Sequence, residues 1–320
     1  MDPLSSLLSG IRAEGSAVSH AVLTAPWTIR FTDEAPLTMV SVLRGQGTLL
    51  LSDGTERRVR AGDTAVVRGP APFHLADAPT TLQRPHTAYE IACFAQSGQV
   101  PVAAAGSGAG RCDGDLGGLH WADDPGGATA LIVGAYRAPG HRHERLLRAL
   151  PRVLVVEEDA EVCAWLESAA ADAVRLSAGS QALMDRLLDW ALVCTLRTWF
   201  DRAGADAPDW YRGLADPVLG PALLAFHSRP ADAWTVALLA ARAGVSRALF
   251  AKRFTELMGR PPLAYVTECR MDEAEALLFD TDLSIARIAA SVGYADAFGF
   301  SAAFKRHKGR SPSTLRAAAA

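Results

Sequence analysis

Two sets of residues carry chemistry that their types and spacing name. The first is cationic. In Ser246-Arg-Ala-Leu-Phe250-Ala-Lys-Arg-Phe254, the apolar residues Phe250, Phe254 and the later Leu257 recur at helical spacing and turn inward. Arg247, Ala248, Ala251 and Lys252 then face outward. Arg247 and Lys252 can each donate to O6 and N7 of a guanine. The second set is imidazole. His141-Arg-His143 would place two rings on one face of a strand, the spacing of a metal-ligand pair. His74 stands apart from them.

The cationic face needs a helix held steeply against its neighbour, and the flanking residues supply one. Thr235 is a hydroxyl N-cap. Val236, Leu239 and Ala240 repeat at helical spacing, Gly244 marks a turn, and Ser246 caps the next helix. The pattern recurs about 50 residues later, with one extra residue in the turn. Ser284, Ile285, Ile288, Ala289, Gly293 and Asp296 answer the first set, and Phe300 and Phe304 answer Phe250 and Phe254. Each pattern is a helix-turn-helix, the geometry that carries a second helix into a DNA major groove. A plain helical hairpin explains one such match; two in tandem favour DNA reading.

Between them, Pro261 to Asp280 predicts a connecting helix with proline at its start. Leu263, Val266, Met271, Ala274, Leu277 and Leu278 form its apolar stripe. Roughly 18 helical residues span about 27 Å. That length suits two reading helices held near one DNA turn apart, roughly 34 Å.

The stretch Trp234 to Arg316 resembles the tandem DNA-binding domain of AraC/XylS-type transcriptional regulators. The resemblance rests on both patterns above, Arg270-Met271 with Ala274, Gly293-Tyr294, Phe304-Lys305-Arg306 and Ser311-Pro312. It implies that Arg247, Ala248, Ala251 and Lys252 approach base edges, and that RNA polymerase is a partner. The second reading helix departs from a polar pattern. Its outward residues Ala297, Phe298, Ser301 and Ala302 offer no bidentate donor. Small apolar groups can pack on thymine methyls. The helix is nevertheless read as positioning on phosphates through Lys305, Arg306, Lys308 and Arg310, with base reading stronger in the first motif. Charge agrees: from Asp216 onward the chain has 13 Lys+Arg and 10 Asp+Glu, against 19 and 25 before it.

The N-terminal half changes character. Asp2 to Gly15 predicts a short helix through Leu4, Leu7, Leu8 and Ile11. Short β-type runs follow at residues 22–23, 27–31, 37–43, 48–51, 57–60, 64–67 and 89–94, separated by turns such as Ser52-Asp-Gly54 and Ala61-Gly-Asp63. Many short strands indicate a sandwich or barrel. Gly62-Asp63 through Pro70, Pro72 and His74 resembles the second motif of cupin barrels. Asp2-Pro-Leu-Ser-Ser-Leu-Leu, Pro26-Trp27 with Phe31, and Gly134-Ala-Tyr136 with His143 to Pro151 resemble cupin sensor domains attached to AraC-type regulators.

Catalytic cupins commonly hold a metal through a His-x-His…Glu set and a later histidine. Here Gly45-Gln-Gly47 stands about where the histidine pair would begin, and only His20 precedes Gly62. The set looks incomplete. His74 is read as structural or ligand-contacting, and His141 and His143 as surface or capping residues; all three stay weak metal candidates. Oxidant-sensing relatives carry thiols at places that here read His20-Ala21-Val22 and Thr129-Ala130-Leu131, so redox sensing is not favoured. Cys93 is expected to be buried and Cys112 reachable. Trp27, Phe73, His74 and Trp121 are candidate liners of an effector site, and the Gly-rich stretch 98–118 a loop bordering its opening. Ser177 to Arg202 predicts a long helix with a wide apolar stripe, for packing on the barrel, for dimerisation, or for both.

The 320 residues allow two domains. No apolar run reaches membrane-spanning length, the N-terminus lacks a signal-peptide core, and 5 irregularly spaced cysteines suggest a reducing compartment. The expected fold is α+β: an N-terminal cupin-like β-barrel with a helical dimerisation segment, then an all-α domain with two helix-turn-helix motifs. The expected domains are 1–205, a linker 206–217, and 218–318. The expected protein is a cytoplasmic homodimeric regulator, not an enzyme, without cofactor or membrane association. It binds double-stranded DNA and answers a small-molecule effector. The rivals are a metal-dependent cupin enzyme with an incidental helical domain, and an effector-free regulator whose barrel only dimerises.

Overall fold

The structure, a computed structural model, describes residues 3–8, 11–13, 19–23, 25–32, 35–81, 88–91, 129–137, 143–157, 165, 168 and 179–319. Contacts divide the chain into two compact units. One holds Gly10–Ala138 and Leu150–Trp199; the other holds Met1–Ser9, Pro139–Ala149 and Phe200–Ala320.

The first unit is built on two sheets. One joins β1 (Arg12–Ala13), β10 (Thr129–Arg137), β4 (Leu37–Arg44), β7 (Asp63–Arg68) and β11 (Val153–Glu157) in that order, with β2 (Ser19–Leu23) also paired to β10. The other runs β6 (Glu56–Arg60), β5 (Gln46–Leu51), β8 (Phe73–Ala76), β3 (Thr28–Phe31) and β9 (Ala88–Ile91). All pairings are antiparallel except β3 with β9. The expected closed barrel is therefore an open pair: among the described residues, no strand pairing joins the two sheets. The chain changes sheet at corners, between β4 and β5 at Gly45 and between β6 and β7 at Gly62, both with positive φ.

Period-two alternation builds the core between the sheets. Ile29, Phe31, Leu49, Leu51, Phe73 and Leu75 point inward from one sheet, and Val40, Val42, Ala65, Val67, Leu131 and Val133 from the other. Phe31 stacks on Phe73 with ring centroids 4.4 Å apart. β10 is buried from Thr129 to Tyr136, so both of its faces are covered. Its second face meets α3 (Ser180–Ala203), close to the predicted helix. At residue 134 a side chain would begin 3.0 Å from Leu188 Cδ1, so glycine admits the helix. The Tyr136 hydroxyl then donates to the Leu188 carbonyl at 2.8 Å.

The first helix, α1 (Pro3–Leu8), is shorter than Asp2–Gly15. Ile11 is still buried, but by Arg12 the chain is extended and its backbone pairs with β10. The short α2 (Glu144–Ala149) follows His143.

In the second unit, the stretch expected as a linker contains α4 (Asp209–Ala215). Trp210 meets Phe200 edge-on at 5.4 Å, Gly213 lies under Met258, and Asp209 pairs with Arg260. These contacts make α4 part of the helical unit. The remaining helices are α5 (Leu219–Ser228), α6 (Val236–Arg242), α7 (Arg247–Met258), α8 (Pro262–Asp280), α9 (Ile285–Ser291), α10 (Ala297–Lys308) and α11 (Pro312–Ala319). They enclose two cores. Leu223, Phe226, Leu239, Phe250 and Phe254 anchor the first; Ile288, Val292, Phe300 and Phe304 anchor the second. The connecting helix α8 serves both: Tyr265 and Val266 enter the first core, Met271, Ala274 and Leu278 the second. Leu263, expected in the stripe, is exposed at the helix start.

Candidate nucleic-acid interface

The two helix-turn-helix motifs are built alike, bond for bond. Thr235 and Ser284 accept the N–H groups of Leu238 and Arg287 at 3.1 and 3.3 Å, capping α6 and α9. Each of these helices ends in the same turn. Val245 N–H returns to Ala240 O at 3.1 Å, and Tyr294 N–H to Ala289 O at 2.9 Å. Ser246 and Asp296 then cap α7 and α10 by accepting from Leu249 and Gly299 at 3.2 and 2.7 Å. Both reading helices stop at a left-handed glycine, Gly259 and Gly309.

Arg270 joins the motifs. Its Nε and Nη2 donate to the carbonyls of Pro230 and Asp232 at 2.9 and 2.6 Å. The turn glycine Gly293, at φ 83°, lies against the same loop, and a side chain there would begin 2.5 Å from Ala231 O. Arg316 repeats this arrangement, donating to Leu283 and Thr281 carbonyls at 2.5 and 3.3 Å.

On α7, Phe250 and Phe254 are buried, while Arg247, Ala248 and Lys252 are exposed and Ala251 is half-buried. Lys252 lies 3.9 Å from Glu256 one turn on, an exposed pair that offers little resistance to a competing phosphate or base. On α10, Phe300 and Phe304 are buried, Ala297 and Ser301 are half-buried, and Phe298, Ala302, Lys305 and Arg306 are exposed. Arg310 is exposed just beyond. Of the residues expected to face outward, Ala251, Ala297 and Ser301 are thus partly covered.

Lys308 does not. Its ammonium lies 2.8 Å from Asp272 and 2.5 Å from Glu275 on α8. Burial pulls its pKa down, but the hydrogen bonds and charges of those carboxylates outweigh this and raise it above the ordinary lysine value. It occupies the helix position that Met258 holds in the first motif. There an apolar side chain fills the core; here an ion pair ties α10 to α8. A related tie was not anticipated in the first motif: Arg253 of α7 pairs with Asp216, ahead of α5.

In the sandwich, Trp27 and Phe73 lie in the apolar core, Trp27 at 1% exposure. His74, the next residue on β8, falls on the opposite face, in register with Arg30 and Leu50. It is therefore not an interior liner beside Phe73. Burial, then Arg30, lowers its pKa, disfavouring the charged ring. The space over Gly47 is taken: a side chain there would begin 3.0 Å from Leu75 Cδ1 and 3.4 Å from the Trp27 ring. His143 is buried, and its Nδ1–H donates to the Leu7 carbonyl at 2.8 Å. This holds the last turn of α1 and is no surface role. Among the described residues, no three of His, Cys, Asp or Glu are grouped to hold a metal ion. Trp121, His141, Cys93, Cys112, the side chain of His20 and the loop 98–118 lie outside the described residues.

Comparison with known proteins covers both units. A family model described as cupin matches residues 2–201, and one described as a helix-turn-helix domain matches residues 239–318. The chain is 31% identical to an AraC-like transcription regulator of Streptomyces lividans, over 99% of this chain and 98% of that protein. It is 25% identical to the HTH-type transcriptional regulator AlkR of Acinetobacter baylyi, over 99% of each chain. Among solved structures it is similar to the DNA-binding domain of AdpA in complex with a target DNA. That match has 33% identity over 32% of this chain and 92% of that one, with a TM-score of 0.30.

Proposed function

The chain belongs to the AraC-like transcription regulators, with a cupin domain ahead of its helix-turn-helix domain, and we propose how its residues carry that role. It regulates transcription as a sequence-specific DNA-binding protein. The observation that carries the assignment of contacts is the duplicated motif, with each reading helix capped at its base-proximal end. α7 enters one major groove with Arg247, Ala248, Ala251 and Lys252. α10 enters the next with Ala297, Phe298, Ser301, Lys305 and Arg306. Arg247 and Lys252 supply hydrogen bonds to guanine. Lys305, Arg306 and Arg310 hold phosphates.

The cupin domain senses a small molecule. Such an effector acts only by binding two states unequally. A second copy docks on the flank of α3 that carries Leu183 and Trp190, which are 48% and 41% exposed. RNA polymerase is a partner, and the setting is cytoplasmic. No helix among the described residues is long and apolar enough to cross a membrane. The chain has no catalytic role of its own. Footprinting of the full chain on its own upstream DNA tests the reading: protection in successive major grooves supports it, and no protection, with or without candidate effectors, contradicts it.

A further inference from the structure

Phe298 is 86% exposed, the most exposed large apolar side chain among the described residues. It stands in the first turn of α10, at the helix end that meets base edges in a major groove. Its counterpart in α7 is Ala248, so the motif's architecture does not require an aromatic there. The surrounding face is bare. Ala297, Gly299 and Ala302 are small, and the hydroxyl of Ser301 gives its one proton to the Ala297 carbonyl at 2.7 Å. Further along the same side, Lys305 and Arg306 are exposed cations. No carboxylate lies within α10, and the capping Asp296 is occupied by the Gly299 amide.

We propose that Phe298 is the specificity-determining residue of the second motif, packing on the C5-methyl of a thymine in the major groove. This rests on the DNA-binding reading above. In the major groove the thymine methyl is the one apolar feature that a base edge presents, and an aromatic side chain with no hydrogen-bonding group recognises it by contact alone. The two motifs then read by different chemistry. α7 donates hydrogen bonds to guanine, and α10 selects thymine by removing a methyl and a phenyl face from water. The cations at the C-terminal end of α10 fix the depth of the helix by holding phosphates. A protein partner for Phe298 is the competing occupant. The flanking exposed cations Lys305 and Arg306 favour the polyanion.

The test compares the chain's own upstream DNA prepared with thymine and with uracil throughout, which deletes the methyl and leaves base pairing intact. The full-length chain, Phe298→Ala and Arg247→Ala are each titrated with both duplexes and with random DNA of equal length. The unaltered chain is expected to bind the uracil duplex at least about fourfold more weakly, from the value of one buried methyl group. Phe298→Ala is expected to bind the thymine duplex more weakly and to lose most of the thymine-to-uracil ratio. Arg247→Ala is expected to weaken binding and keep that ratio. Because Phe298 is exposed, an unchanged melting temperature verifies the fold of its variant. Equal affinity of the unaltered chain for both duplexes overturns the proposal. So does a full ratio retained by Phe298→Ala, and that result combined with lost transcription assigns Phe298 to a protein partner. Binding of the unaltered chain to its upstream DNA no tighter than to random DNA overturns the DNA-binding reading itself, and this proposal with it.

Discussion

Arg253 donates to Asp216 through Nε at 3.1 Å and Nη2 at 2.7 Å, so a reading helix is tied directly to the segment that starts α5. Asp216 also accepts the N–H groups of Val218 and Leu219, both at 2.9 Å, as a cap does. Asp216→Ala is expected to destabilise the helical unit by about 1 kcal/mol, the usual cost of a lost cap, read by denaturant unfolding. The pH dependence has a definite sign. Burial pushes the Asp216 carboxyl up, but Arg253 and the two amides outweigh it, and its pKa falls below the ordinary value of 3.8. A depressed carboxylate contributes its stability above the ordinary value and loses it as pH falls through the folded one. The gap between the protein and Asp216→Asn should therefore narrow only below about pH 3.8. A gap that is constant into acid would contradict the pairing.

Tyr136 fixes α3 to the sheet. Its hydroxyl is buried and reaches the Leu188 carbonyl at 2.8 Å. Tyr136→Phe should cost about 1 kcal/mol, the net value of a hydrogen bond plus part of the carbonyl's lost partner. Gly134→Val should cost more, because its side chain begins inside the Leu188 contact and the packed helix must move. Thermal unfolding orders the two; a neutral Gly134→Val would show that α3 does not pack closely there.

The basic end of α10 divides into two roles that salt dependence separates. Lys305→Ala and Arg306→Ala should each reduce the slope of log affinity against log salt by about 1. Lys308→Met should leave that slope unchanged, because its ammonium is held by Asp272 and Glu275. It should instead lower stability by removing the cation that ties α10 to Asp272 and Glu275 on α8. The ion pair's contribution is present below the ordinary lysine pKa of 10.5 and is lost as pH rises through the higher folded value. A slope change for Lys308→Met would place it on DNA.

Arg247→Ala should cost about 1–3 kcal/mol on upstream DNA and relax the preference at one base pair, as loss of a guanine contact does. Selection from a randomised site reads this directly. Equal weakening on all sequences would make Arg247 a phosphate ligand.

Much of the DNA-binding unit was legible because its signals are local. Caps at Thr235, Ser246, Ser284 and Asp296, and glycines after short apolar helices, specify each motif within a few residues. The strands from β2 to β7 showed for the same reason. What escaped depends on distant partners. Lys308 sits in a basic run and looks like a phosphate ligand until α8 brings Asp272 and Glu275 to it. Leu263 looks like part of one stripe, but a helix shared by two cores turns its buried side along its length. Phe73 and His74 are neighbours on a strand, so alternation sends them to opposite faces, and only pairing with β3 shows which face is the core. The strand β8 is short and follows two prolines, which masked it. Trp210 was the available sign that residues 206–217 contain a packed helix, since a linker rarely carries an aromatic that large.

The central claim is that the two reading helices recognise a DNA sequence. The most direct measurement is the affinity of the full chain for its own upstream DNA against random DNA, across a salt series from about 50 to 200 mM. The account predicts binding at least roughly 10³-fold tighter to the upstream DNA, weakening steeply as salt rises. Equal affinity for both DNAs at every salt concentration, with and without candidate effectors, would contradict it.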